Sequence, residues 1–275
     1  MPSGRFGRIA VLTASGLFFA TPMAVSALSS VRRQDGTLTA DAYRQAFEAP
    51  GLGSALTLSL GLAAATILLL LVLLVPAVIT ARLRAPRLRS LLEVMCSLPL
   101  VVPPIAFVAG LSKVLQWGSG PATGHSNLTS LFLWIQVPSY PVVLVLAYTV
   151  MALPFAYRAL DSGMNALDVR TLTEAARSCG ASPARALLHA VLPGLRPALL
   201  NAACLTLALV LGEFTVARLL GYQPLAVWMV AESGSQAQLS VALSVISLLF
   251  SWGLLFALAL LSRPSPTEQA RKTSS

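Results

Sequence analysis

The 275 residues are 56% hydrophobic and only 11% charged, with a mean hydropathy of +0.77. Soluble domains carry about 25% charged residues, so this composition excludes a soluble globular protein and indicates a chain embedded in a bilayer. The net charge of +9 does not mark a nucleic-acid-binding protein, because the basic residues are spread between apolar stretches and form no patch with interleaved aromatics.

Crossing about 30 Å of hydrocarbon takes roughly 20 residues. Six stretches are long enough: about 9–31, 54–79, 91–116, 138–157, 197–220 and 237–261. Arg5 and Arg8 precede the first, and Val25-Ser26-Ala27 fits a signal-peptide cleavage site. Its apolar run exceeds the about 7–15 residues of such peptides, so an uncleaved span is expected. Between the first two spans, residues 40–47 are expected to form a short surface helix.

The third span contains Pro99, Pro103 and Pro104. Each removes a backbone donor, so the helix must break there, as a packing kink or where the chain lines a solute path. Glu93 opens this span and is expected to pair with Arg87 or Arg89 of the preceding connection. After it, residues 128–137 with Trp134 suit an interfacial segment too short to span. Glu213, in Leu211-Gly212-Glu213-Phe214, lies near the outer part of the fifth span. A carboxylate at membrane depth costs roughly 2.5–3.5 kcal/mol and needs a partner or an aqueous path. It faces the solute, pairs with Arg218 or sits at the membrane interface. Residues 225–230 read as a further outer, re-entrant element, and 264–275 as a disordered tail.

Fourteen of the nineteen Arg and Lys residues fall in the N-terminal tail, the connections after the second and fourth spans, and the C-terminal tail. The positive-inside rule puts those segments, and both termini, in the cytoplasm, which six spans permit.

One of the few polar stretches of any length lies in the connection after the fourth span, from Asp168 to Pro197. Asp168 is a good N-cap, and Val169, Leu172, Ala175, Ala176 and Cys179 recur at helical spacing opposite Arg170, Thr173, Glu174 and Arg177. Gly180 supplies a left-handed stop, and Ser182-Pro183 starts a second helix. That helix carries Ala184, Leu187, Leu188, Val191 and Leu192 on one side, until Pro193 and Pro197 interrupt it. The pattern predicts an amphipathic helical hairpin, built either to dock onto a partner or to lie on the membrane surface.

The landmarks Glu174-Ala175-Ala176, Gly180, and Leu192-Pro193 resemble the EAA loop of ABC importer permeases, with Ala190 where that family usually has an aliphatic residue such as Ile. The proline-rich third span and the Gly-Glu-Phe of the fifth resemble the polyamine, thiamine and ferric-iron members. The resemblance covers about residues 52–261, with 1–51 an added span and outer loop and 262–275 a cytoplasmic tail. It implies an all-α, six-span type I permease in the bacterial inner membrane, with the EAA loop at about 158–196. Glu174, Ala175, Ala176, Gly180, Ala181, Ser182, Leu192 and Pro193 would contact the ATPase, while Glu213, Pro103 and Pro104 are candidates for the solute path. It also implies a second permease (another copy or a homologue), two ATPase copies, an extracytoplasmic solute-binding protein and surrounding lipid as partners. A polyamine-like solute is expected first, with thiamine, ferric iron or an organophosphonate as alternatives.

No P-loop occurs, so ATP belongs to a separate subunit and this chain is expected to bind no cofactor. His125 and His189 stand alone, and Cys96, Cys179 and Cys204 lie far apart, so neither a metal site nor a disulfide framework is expected. No hydrolase motif supports the competing reading, a membrane enzyme or assembly factor with an amphipathic loop.

Overall fold

The computed structural model describes residues 3–32, 37–83, 86–119, 127–232, 234 and 237–261. The expected disordered tail lies outside these residues. Within them the chain is helical, with one isolated antiparallel bridge between Arg32 and Leu38.

Three helices make the centre: α3 (Leu52–Leu83), α7 (Val142–Asn165) and α11 (Arg196–Gly212) pack against one another. Small residues let them approach. Gly163 of α7 abuts Ala198 of α11 so closely that a Cβ on the glycine would collide with the alanine methyl. One half of the shared core gathers Leu74, Val78, Leu160, Met164, Val191 and Leu195, the other Leu62, Leu144, Tyr148, Leu207, Val210 and Val216. At the second end, α2 (Asp41–Glu48) and α13 (Leu225–Glu232) cap the bundle. There Ala46, Ala55, Leu225, Trp228, Leu239 and Leu243 form a third cluster. The surface helix expected at 40–47 and the outer element at 225–230 are thus both present. The Ser59 hydroxyl accepts the Leu225 N–H at 2.7 Å, and the Trp228 indole donates to the Pro50 carbonyl at 3.2 Å.

Around this centre, α14 (Ala237–Leu261) packs on α11, and α1 (Ser3–Val31) packs on α14 and otherwise leaves its apolar side chains exposed, as a lipid-facing helix does. The C-terminus of α1 and the start of α14 meet at the capped end, where the Gln238 amide donates to the Arg32 carbonyl.

Four helices (9–31, 52–83, 142–165 and 238–260) are long and apolar enough to span alone. The two other expected spans are bent pairs. The third divides into α4 (Pro86–Ser97), a single 3-10 turn at Leu98–Leu100, and α5 (Pro104–Ser119), its two arms at 99°. The proline run does more than kink a helix. The fifth is α11 with its approach at Leu187–Gly194, bent by 63°. The fourth begins at Val142, later than the expected 138, because Pro141 takes the N-cap position, and it runs on to Asn165. The interfacial segment forms α6 (Asn127–Trp134).

Candidate functional site

The hairpin consists of α8 (Val169–Ser178), α9 (Pro183–Ala186), a π-helical turn at Leu187–Val191 and a last short turn, α10 (Leu192–Gly194). Asp168 caps α8: its carboxylate accepts the Thr171 N–H at 3.1 Å and the Thr171 hydroxyl at 2.6 Å. That hydroxyl, then the backbone N–H, holds the Asp168 carboxyl below its ordinary range. Gly180 takes φ +80°, its N–H donates to the Arg177 carbonyl at 2.9 Å, and the Ala181 N–H donates to the Ala176 carbonyl at 3.1 Å. These two bonds are the Schellman pair that closes a helix. The Ser182 hydroxyl then accepts the Arg185 N–H at 3.4 Å, with Pro183 at the first helical position.

Only the roots of the hairpin dock. Val169, Leu172, Leu187 and Val191 pack into the core with Ile79, Leu160 and Met164. Ala175, Cys179 and Leu188, expected on the same apolar face, are exposed, because the corner projects beyond the bundle. Glu174 is exposed and pairs with Arg170 on its own helix at 3.1 Å. Ala176, Ala181 and Leu192 are half-buried, and Ser182 and Pro193 exposed. Pro193 lacks the N–H that an α-turn would need four residues after His189, and the turn preceding it widens to the π form.

Beside the roots lies an ionic cluster that sequence adjacency did not reveal. Asp161 accepts from Arg82 at 2.7 Å and from Arg89 at 3.1 Å, and Arg82 also donates to Asn165 at 2.7 Å. This ties α3, α4 and α7 together. Arg89 therefore pairs with Asp161, and neither Arg87 nor Arg89 forms an ion pair with Glu93. The available signal was the spacing of Asp161 and Asn165, one turn apart at the end of an apolar helix whose acid needed a partner.

At the other end, Glu213 is buried in an extended residue between α11 and α12 (Thr215–Leu219). Both its oxygens accept the Val216 N–H, at 3.0 and 3.1 Å, and one also accepts the Ala217 N–H at 3.4 Å. The pairing with Arg218 does not form. The two residues are five apart, outside the three- or four-residue spacing that brings side chains together on a helix, and the break at 213–214 lies between them. The Tyr148 hydroxyl, wholly buried, lies close to this carboxylate. In turn α12 packs on α5, just beyond Pro103 and Pro104, both of them exposed. Glu213 and the proline break thus belong to one neighbourhood, joined through α12.

This is the architecture of a transporter membrane subunit: a helical core, two bent spans and a hydrogen-bonded hairpin projecting from one end. Residues 74–263 match the family described as binding-protein-dependent transport system inner membrane component, and the chain belongs to it. It is thus a non-catalytic, multi-pass component of a bacterial inner membrane, working with ATPase and solute-binding partners as its family does.

The molybdenum transport system permease protein ModB of Azotobacter vinelandii is 34% identical over 169 residues, 61% of this chain and 72% of that protein. Escherichia coli K12 ModB is 31% identical over 131 residues, 46% of this chain. This chain spans about half of the E. coli relative's length, 53%. Both relatives are named for molybdenum and neither for a polyamine, the solute class expected first. That expectation rested on the resemblance of the proline-rich third span and the Gly-Glu-Phe of the fifth; in the structure the Glu213 oxygens accept from backbone amides.

Proposed function

We propose that this chain lines part of the path for an oxyanion of molybdenum. The similarity to the A. vinelandii permease over 72% of its length carries this reading. Molybdenum in neutral water is a tetrahedral dianion, and a free carboxylate in its path would repel it. With Glu213 occupied by the Val216 and Ala217 amides, that repulsion is reduced, and the acid shapes the path through α12 and the neighbouring Pro103–Pro104 break.

The exposed corner from Glu174 to Ser182 is then the surface that enters a cleft of the ATPase, with Leu192 and Pro193 anchoring its return. ATP is bound by that subunit and none by this chain. The hairpin end and both termini face the cytoplasm, six crossings are made with each bent pair as one, and a second permease completes the path. Residues 52–261 form the permease core. Closure of the ATPase dimer displaces the hairpin and opens the spans outward.

The test is ATP-dependent uptake of labelled molybdate by vesicles holding the complete complex and its binding protein. Uptake should be competed by tungstate and not by spermidine. Spermidine uptake with no molybdate uptake would refute the oxyanion.

A further inference from the structure

Three cavities adjoin at the hairpin end of α3, and two of them share Ala81. One of these two, of about 440 Å³, is a groove between α3 and α4 lined by Pro76, Ala77, Leu88, Leu91, Leu92 and Met95, apolar apart from Thr80. The other, of about 250 Å³, is lined by Arg82, Arg89 and Arg170 together with Asp168. Ala81 lines both, so apolar wall passes directly into guanidinium wall. Apart from Glu93, which is on α4 but lines neither of these two cavities, the acids here are already engaged. Asp168 accepts from Thr171, Asp161 from Arg82 and Arg89, and Glu174 from Arg170 through its Nε. The Nε contact leaves the terminal nitrogens of Arg170 free of Glu174, and Arg89 remains 45% exposed.

An apolar slot between two helices of a membrane protein, continuing into an arginine pocket at its rim, matches one amphiphile. We propose that this is a binding site for a single anionic phospholipid, its phosphate held by Arg89 and Arg170 and one acyl chain lying along Leu88, Leu91 and Met95. Guanidinium forks suit phosphate oxygens, and basic pockets between membrane helices select anionic headgroups. A zwitterionic lipid fills the slot equally well but gains less from the arginines. The site ties a lipid to α8, the first helix of the hairpin, and to α4, the arm before the 99° bend. The inference requires only that the chain sits in a bilayer, whatever the solute.

The complete complex, reconstituted in vesicles of equal parts phosphatidylcholine and phosphatidylglycerol and then re-extracted in detergent, would be assayed for bound lipid by mass spectrometry. Wild type should retain phosphatidylglycerol over phosphatidylcholine. Arg170→Gln, which spares the Asp161 cluster, should lower that retention about fivefold, the effect of one arginine near a membrane surface. Leu91→Trp, filling the slot, should abolish it, and Leu91→Ala, leaving the slot open, should not. Only variants that elute as the intact complex are compared, and Leu91→Ala reads the slot should Leu91→Trp fail to assemble. Equal retention of both lipids by wild type overturns the proposal. So does unchanged retention in Arg170→Gln, loss in Leu91→Ala, or Leu91→Trp releasing the second permease, which would make the groove a protein contact.

Discussion

Removing the Glu213 side chain leaves the Val216 and Ala217 amides without acceptors in an apolar surrounding, at a cost of about 1–3 kcal/mol. Glu213→Ala should therefore lower the melting temperature of the purified subunit clearly, and Glu213→Gln, which keeps an acceptor, by less. Adding Arg218→Gln should rescue neither, because Arg218 is not the partner; rescue would restore the ion pair. Asp168 gives a pH-dependent counterpart. Its carboxyl is held below the ordinary range, so its cap is present above the unfolded-state pKa of about 3.9 and is lost as pH falls through the lower folded value. Hydrogen exchange at residues 170–172 should accordingly be insensitive to pH near neutrality once intrinsic rates are allowed for. Protection should fall at neutral pH in Asp168→Ala, and unchanged protection there would mean α8 does not depend on this cap.

Elements differed in how far local chemistry decided them. The hairpin was legible because Asp168, Gly180 and Ser182-Pro183 each act within a few residues, and the bonds they make are local ones. The 99° bend was not, because three prolines dictate a break but not the direction in which the chain resumes. Nor was the Asp161 cluster, whose partners lie 79 and 72 residues away in sequence. At this scale, Gly180→Val should cost at least about 1 kcal/mol of left-handed strain and reduce co-purification of the ATPase. Wild-type recovery would show that the corner tolerates another geometry. Gly163→Ala should force α7 and α11 apart at about 1–3 kcal/mol, read as lower thermal stability. Ala198→Gly in the same chain should restore much of the loss, since it vacates the volume the new methyl needs.

For the whole molecule, apolar length located four helices that span alone and two stretches that are bent pairs, while the solute stayed out of reach. A path made from broken helices presents backbone and shape, which single residue types do not announce. Sidedness has a built-in reporter. Cys179 is exposed at the hairpin corner, Cys96 is buried and Cys204 partly so. A membrane-impermeant maleimide should label Cys179 in inside-out vesicles and not in right-side-out ones, and a cysteine placed at the exposed Gln223 should do the reverse. Labelling of Cys179 from outside would place the hairpin where no ATPase reaches it.

The hairpin corner is closed from within by the Asp168 cap, the Schellman pair at Gly180 and the Ser182 cap, so it behaves as a stiff prong. The π turn at Leu187–Val191, with its wider ring and the proline after it, is the softer joint before α11. Under the coupling proposed above, load applied at the tip would pass the corner and concentrate at that turn. Compliance there, more than shape at the tip, would then set how far α11 travels per stroke.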